Sequence, residues 1–237
     1  PDKNEYKRLK TKYRSHKDIT ILNEGISDKD EQIQLNIFNN PAMSSTLKRR
    51  NISPLFWTIR KKQIKIKKKI IMKCLSLDNF LKKQKLAVDF LKIDVEGMEP
   101  KILLNSNKIF ETLIGIRSEV SFAKIFNDKK NHYGTFTELH KKLLDKNFIL
   151  LNLDYDGTGD FFSKYISQNS KFGILQNTDA VWIKDFNEIS KYNDPYKLLK
   201  LISFLILNNA TDLALYLLEK NYKKYLNFKN FKKTKTL

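Results

Sequence analysis

Hydrophobic and polar positions alternate along this chain with two periods, about two and about 3.6 residues, and the changes of period mark its elements. Asn4 to Tyr13 is polar, with Tyr6, Leu9 and Tyr13 at helical spacing. Ile19 to Leu22 is β-branched and predicts a short strand. Asn23 to Asp28, with Gly25 among small polar residues, predicts a turn at its carboxyl end that suits a ligand. Gln32 to Ile37 alternates like a half-exposed strand. Pro41 to Arg60 is loop-like, with Phe56 and Trp57 placed to fold over a site as a lid. Ile64 to Cys74 is strand-like, and Ser76 is positioned to cap a helix that buries Leu77, Phe80 and Leu81.

The run Val88 to Pro100, VDFLKIDVEGMEP, is the densest signal. Val88, Phe90, Leu91, Ile93 and Val95 predict a strand buried on both faces, and Asp94, Glu96 and Glu99 fall at or just past its carboxyl end. That end is where ligands bind in open α/β sheets. Pro100 suits the first turn of a following helix, which carries Ile102 and Leu103 and fades around Asn105 to Asn107. Leu113 to Val120 predicts another strand with Glu119 near its end. Thr135 and Glu138 have capping-box spacing ahead of a helix burying Phe136, Leu139, Leu143 and Leu144. Phe148 to Leu153 and Thr178 to Ile183 predict an antiparallel pair joined by a long polar connection. From Pro195 two apolar helices follow, turned at Asn208-Asn209, the second capped by Thr211. Strands alternating with helices give a doubly wound α/β sheet, residues 1–186, with a helical extension over 187–237.

Charge changes this picture less than its size suggests. The formal charge is +19, yet Lys48 to Lys73 holds eleven basic residues and no acid, and Lys220 to the end holds seven. The remaining 27 basic and 26 acidic residues nearly cancel, so the body is close to neutral. Such segments attract anions whatever their sequence, although a solvated Lys-rich loop and tail is the simpler reading. The tail interleaves Tyr222, Tyr225, Phe228 and Phe231 with Lys, a pattern that suits nucleic-acid stacking but equally one helix face, and nucleic acid is not the expected partner. A single cysteine, Cys74, excludes an intrachain disulfide and fits a reducing cytoplasm. The longest apolar run, Leu198 to Leu207, is too short to span a membrane.

Several stretches carry a resemblance. LKIDVEGMEPKIL is similar to the signature of the FkbM-type methyltransferases, and ITILNEGISDKDEQIQL, CLSLDNFL, IGIRSEV and DAVWIKD resemble other segments of that family in the same order. The resemblance implies a Rossmann-like sheet of the class I methyltransferase type, with an antiparallel last strand, and methyl transfer from S-adenosylmethionine to a hydroxyl of a saccharide or similar metabolite. Asp94 and Glu96 become candidates for the base or for stabilising the cationic donor, and Glu119 is the next candidate. Gly25, Ile26 and Ser27 carry over to the adenine side of the cofactor pocket, and Asp2, in the remnant of the family's second strand end, is a further cofactor-binding candidate. In that family a Gly-rich loop and a ribose-holding acid precede a Pro-Asp like Pro1-Asp2, so the chain is expected to be a piece of a longer protein.

Plainer roles stand beside these. Acids at strand ends also cap helices, and Lys92 either snorkels or pairs with a nearby acid. Asp94, Glu96 and Glu119 could share a hard cation, which the resemblance does not require, so no metal is expected. Asp154 to Asp160 resembles a calcium loop but lacks EF-hand spacing and reads as a turn. His16, His132 and His140 are scattered; His140 falls on a polar helix flank and His132 is a weak alternative base. The C-terminal helices are expected to dock on the domain or to join two copies. The competing reading is a non-catalytic binding module that holds an anionic polymer, nucleic acid or glycan, through Lys48 to Lys73.

Overall fold

The computed structural model describes residues 2–48, 62–123, 125–126, 135–154, 158–159, 174–175, 177–192 and 194–221. The lid residues Phe56 and Trp57, His132, most of the turn from Asp154 to Asp160, the basic residues at 49–61 and the tail beyond Asn221 lie outside them.

Helix α1 (Lys3–Lys12) is followed by β1 (Gly25–Ser27), β2 (Glu31–Phe38), β3 (Ile66–Ser76) and α2 (Leu77–Gln84). Next come β4 (Phe90–Ile93), α3 (Glu99–Leu104), β5 (Gly115–Ser121), α4 (Phe136–Asp145) and β6 (Phe148–Asp154). The short β7 (Thr158–Gly159) and β8 (Ile174–Leu175), then β9 (Asn177–Lys184), α5 (Phe186–Ser190), α6 (Pro195–Leu207) and α7 (Thr211–Lys220) complete the order. The fold is mixed α/β, with two larger sheets. One is ordered β1-β3-β2 and the other β4-β5-β9-β6. No described strand joins β1 to β4, so the single sheet expected from the pattern is seen as two parts. In the second, β4 runs parallel to β5, and β9 lies antiparallel between β5 and β6.

The four-stranded sheet is covered on both faces. Leu81, Ile102, Leu139, Leu143, Phe148 and Trp182 pack on one side. On the other, Ile114 and Ile183 meet Leu198, Leu201, Leu205 and Leu217 of α6 and α7, so the C-terminal helices dock on this chain's own sheet. Each such side chain contributes roughly 1.5–3 kcal/mol when fully buried. Gly115 makes room for a ring stack between Phe90 of β4 and Phe204 of α6, with centroids 4.5 Å apart; a Cβ there would lie within 3.0 Å of both rings. Polar ties add to this face. Arg117 donates to Asp179 at 2.7 Å, Asp154 at 3.0 Å and Asn208 at 3.2 Å, and the Asn208 carbonyl accepts from Asn152 at 2.8 Å. Lys200 pairs with Asp89 just ahead of β4.

Six expectations need correction. Leu144 of α4 is 50% exposed and not buried. Ile19 to Leu22 is not a strand: Ile19 and Leu22 are 38% and 46% exposed, and β-branching without a neighbouring strand to pair with does not make one. The pairing falls instead on Gly25–Ser27, which runs parallel to Cys74–Ser76. Strand β4 is not buried on both faces: among the described residues β5 is its one sheet neighbour, Ile93 is its one buried residue, and exposed Lys92 pairs with Asp94 at 3.6 Å. Thr135 and Glu138 bond to each other through their side chains at 3.2 Å instead of capping backbone amides. Helix α7 is entered through Ala210, with Asn209 left-handed at φ 60° and no side-chain cap, so Thr211 is its first residue and not its cap. His140 is half-buried and stacks on Phe136, and its Nδ1 accepts the Trp182 indole N–H at 3.1 Å. Other features match: Ser76 caps α2 through the Asn79 amide, and Lys67, Lys68, Lys69 and Lys73 lie exposed on β3.

Candidate functional site

The chain leaves β4 through a turn that only a few residue types could form. Glu96 is left-handed at φ 56° and Gly97 follows at φ 103°. A Cβ on Gly97 would lie 2.3 Å from the Phe126 ring, so both conformation and space demand glycine there. Three consecutive residues of the turn are gripped. Glu99 accepts the Val95 amide at 2.6 Å on one carboxyl oxygen and the Gly97 amide at 2.9 Å on the other. From the opposite side the buried Ser45 hydroxyl donates to the Glu96 carbonyl at 2.6 Å and accepts the Leu47 amide at 3.0 Å. Ser45 is itself fixed to β2 by backbone bonds with Asn36.

Beside this turn lies a cavity of about 200 Å³. Gly25, Ile26 and Ser27 of β1 form one wall, and Asp94, Val95 and Met98 another. Ser44 and Thr46 close it from the segment after β2, so part of the stretch expected to cover a site does border one. Thr46 Oγ1 is buried and has no hydrogen-bond partner among the described residues. A neighbouring groove of about 430 Å³ shares Leu35 and Ser44 with the cavity and is bordered by Asp2. Asp2 is engaged locally, accepting the Asn4 and Glu5 amides as the cap of α1, which hold its carboxyl below the usual range.

Of the residues singled out from the sequence, the structure therefore brings Asp94, Gly25, Ile26 and Ser27 to one cavity and places Asp2 at its neighbour. Glu96 and Glu119 do not line it. Glu119 is half-buried and accepts from the Asn177 side chain at 2.5 Å. The carboxylates that converge are Asp94, Glu99 and Glu119, with one oxygen from each within 4.8 Å of the others, a geometry able to hold a metal ion. The set differs from the one expected: buried Glu99 takes the place of Glu96. Burial pushes the Glu99 carboxyl up to about 8, nearby Glu119 adds to the rise, and its backbone N–H bonds oppose it.

Glu99, Ser45 and Thr46 are the residues that pattern reading left without a role. Glu99 carried a signal, an acid two residues past a glycine in an acidic turn. Ser45 and Thr46 lie in a loop whose only mark was small polar composition.

Residues 1–150 match the family described as the methyltransferase FkbM domain. No curated protein and no solved structure matches the chain.

Proposed function

Because the chain belongs to the FkbM methyltransferase family, we propose that it moves a methyl group from S-adenosylmethionine to a hydroxyl on a saccharide or similar metabolite, using the cavity between β1 and the β4–α3 turn. The observation that carries this reading is the meeting of Gly25–Ser27 and Asp94 on one cavity, although they lie far apart in the chain. The order β4-β5-β9-β6, with β9 antiparallel between β5 and β6, supports a Rossmann-like sheet of the class I methyltransferase type.

The lining fits such a donor. Ile26, Ile33 and Met98 offer apolar surface to a nucleobase, the exposed Asp94 carboxylate complements a positive charge, and the unpartnered Thr46 hydroxyl would gain a polar neighbour. The donor supplies a methyl group already activated on a sulfonium. The protein's task is then mostly alignment, which can be worth about 7–11 kcal/mol. Asp94 would accept the proton of the acceptor hydroxyl as the carbon–oxygen bond forms and the sulfur–methyl bond breaks, the sulfur leaving as a neutral thioether; a base so positioned is worth about 100- to 10,000-fold. Glu96 and Glu119 stand off the cavity, so Asp94 is preferred for that role.

The test is incubation with isotope-labelled S-adenosylmethionine and a panel of sugar nucleotides and oligosaccharides. Label transfer that falls at least 100-fold in Asp94→Asn, with an unchanged circular dichroism spectrum, is the expected result. Absence of both donor binding and transfer would overturn the reading.

A further inference from the structure

We propose that Glu99 is the positioning residue of this site: its carboxyl holds the Val95 and Gly97 amides and so fixes the turn that presents Asp94 to the cavity. What the turn does rests on the methyl-transfer reading; how it is held does not.

Glu99 is 1% exposed and does not border the cavity, so it cannot touch a substrate there. A buried carboxyl is costly unless its hydrogen bonds are made, and an apolar side chain would fill the same space at less cost. Both of its oxygens are spent on the turn. The turn needs that support. Glu96 carries a side chain in the left-handed region, which disfavours any residue with a Cβ. Helix α3 does not supply the hold by other means, since Met98 at its N-cap makes no side-chain cap bond. Glu99 instead reaches backwards from the first residue of α3 to the amides of the turn. With Ser45 on the Glu96 carbonyl, the turn is held from two elements at once. Asp94 is the residue immediately before these three, so its direction depends on theirs.

The experiment is hydrogen–deuterium exchange on the full chain without ligand, comparing wild type with Glu99→Gln and Glu99→Met. Glutamine keeps one acceptor oxygen but sets an NH2 group against the second N–H, where the carboxyl presents an oxygen in either protonation state. Methionine offers no comparable acceptor but adds no buried charge. Exchange in peptides spanning 93–99 is expected to rise at least tenfold, with peptides from β5 and β9 unchanged. Methionine keeps the test readable if glutamine does not fold. Wild-type exchange in the turn, or global exchange in both variants, would overturn the proposal, the latter because Glu99 would then hold the whole fold. Calorimetry with S-adenosylmethionine is the second arm. Glu99→Gln is expected to weaken binding at least tenfold in wild type and to cost no more than twofold in an Asp94→Asn background, because it acts through Asp94. Equal losses in the two backgrounds would overturn it. If the wild-type chain binds no S-adenosylmethionine, the methyl-transfer reading fails while the exchange result still decides the role of Glu99.

Discussion

Glu99 ties the stability of the fold to pH in a direction opposite to that of an ordinary carboxylate. Its folded-state value of about 8 lies above its ordinary 4.5, first because it is buried. Between these values the native chain keeps a proton that the unfolded chain has released, so stability is fully present below about 4.5 and is lost as pH rises through about 8. At about 1.4 kcal/mol for each tenfold change, the difference is worth up to about 5 kcal/mol. Against a typical net stability of about 5–15 kcal/mol, that is a large share. Asp2, Glu5 and Asp30 carry lowered values, set mainly by backbone amides for Asp2 and Asp30 and by Arg8 for Glu5. Their contribution is lost as pH falls through the carboxylate range, so they shape the curve only below this window. Urea unfolding of wild type and Glu99→Gln, followed by circular dichroism from pH 5 to 8.5, separates the effects. Wild type is expected to lose several kcal/mol over that range, and the variant, which cannot ionise there, to stay flat. A wild-type change under about 1 kcal/mol, or an equal slope in the variant, would refute the reasoning.

Three further substitutions probe the frame around the site. Gly97→Ala forces a Cβ into the Phe126 ring at an unfavourable φ and is expected to cost roughly 2 kcal/mol or more, read from thermal melting. His140→Leu removes the acceptor of the buried Trp182 N–H and should cost roughly 1–3 kcal/mol, with a change in tryptophan fluorescence. Arg117→Met leaves Asp154 and Asp179 side by side without their cation and removes the donor to the Asn208 side-chain oxygen; a loss of roughly 1–3 kcal/mol and faster amide exchange in α6 and α7 are expected.

The strand, turn and helix around Asp94 were legible because an apolar run, a glycine, an acid cluster and a proline all pointed the same way. The β6–β9 pairing and helices α6 and α7 were legible from periodicity for a similar reason. What failed depended on partners. Ile19 to Leu22 has the composition of a strand, but pairing is decided by whichever backbone lies alongside, and that neighbour was given to Gly25–Ser27. Thr135 and Glu138 have capping spacing, yet the two side chains satisfy each other. Glu96 and Glu99 are chemically near-identical acids in one turn; only the left-handed backbone between them decides which one is buried. No local pattern distinguishes Thr46 from any other loop threonine, because its lack of a partner among the described residues is a property of the walls around it.

The stack of Phe90 on Phe204 gives the C-terminal helices a mechanical part in the site. Among the described residues, β4 pairs in its sheet with β5 alone. Its opposite support comes from α6, where ring stacking adds about 0.5–1.5 kcal/mol beyond burial and outweighs the exposed Lys200–Asp89 pair. Helix α6 thus serves as a splint for the strand that aims Asp94. Cutting the chain before Pro195 would loosen the edge that carries Asp94 from behind while every residue lining the cavity stayed in place in the sequence.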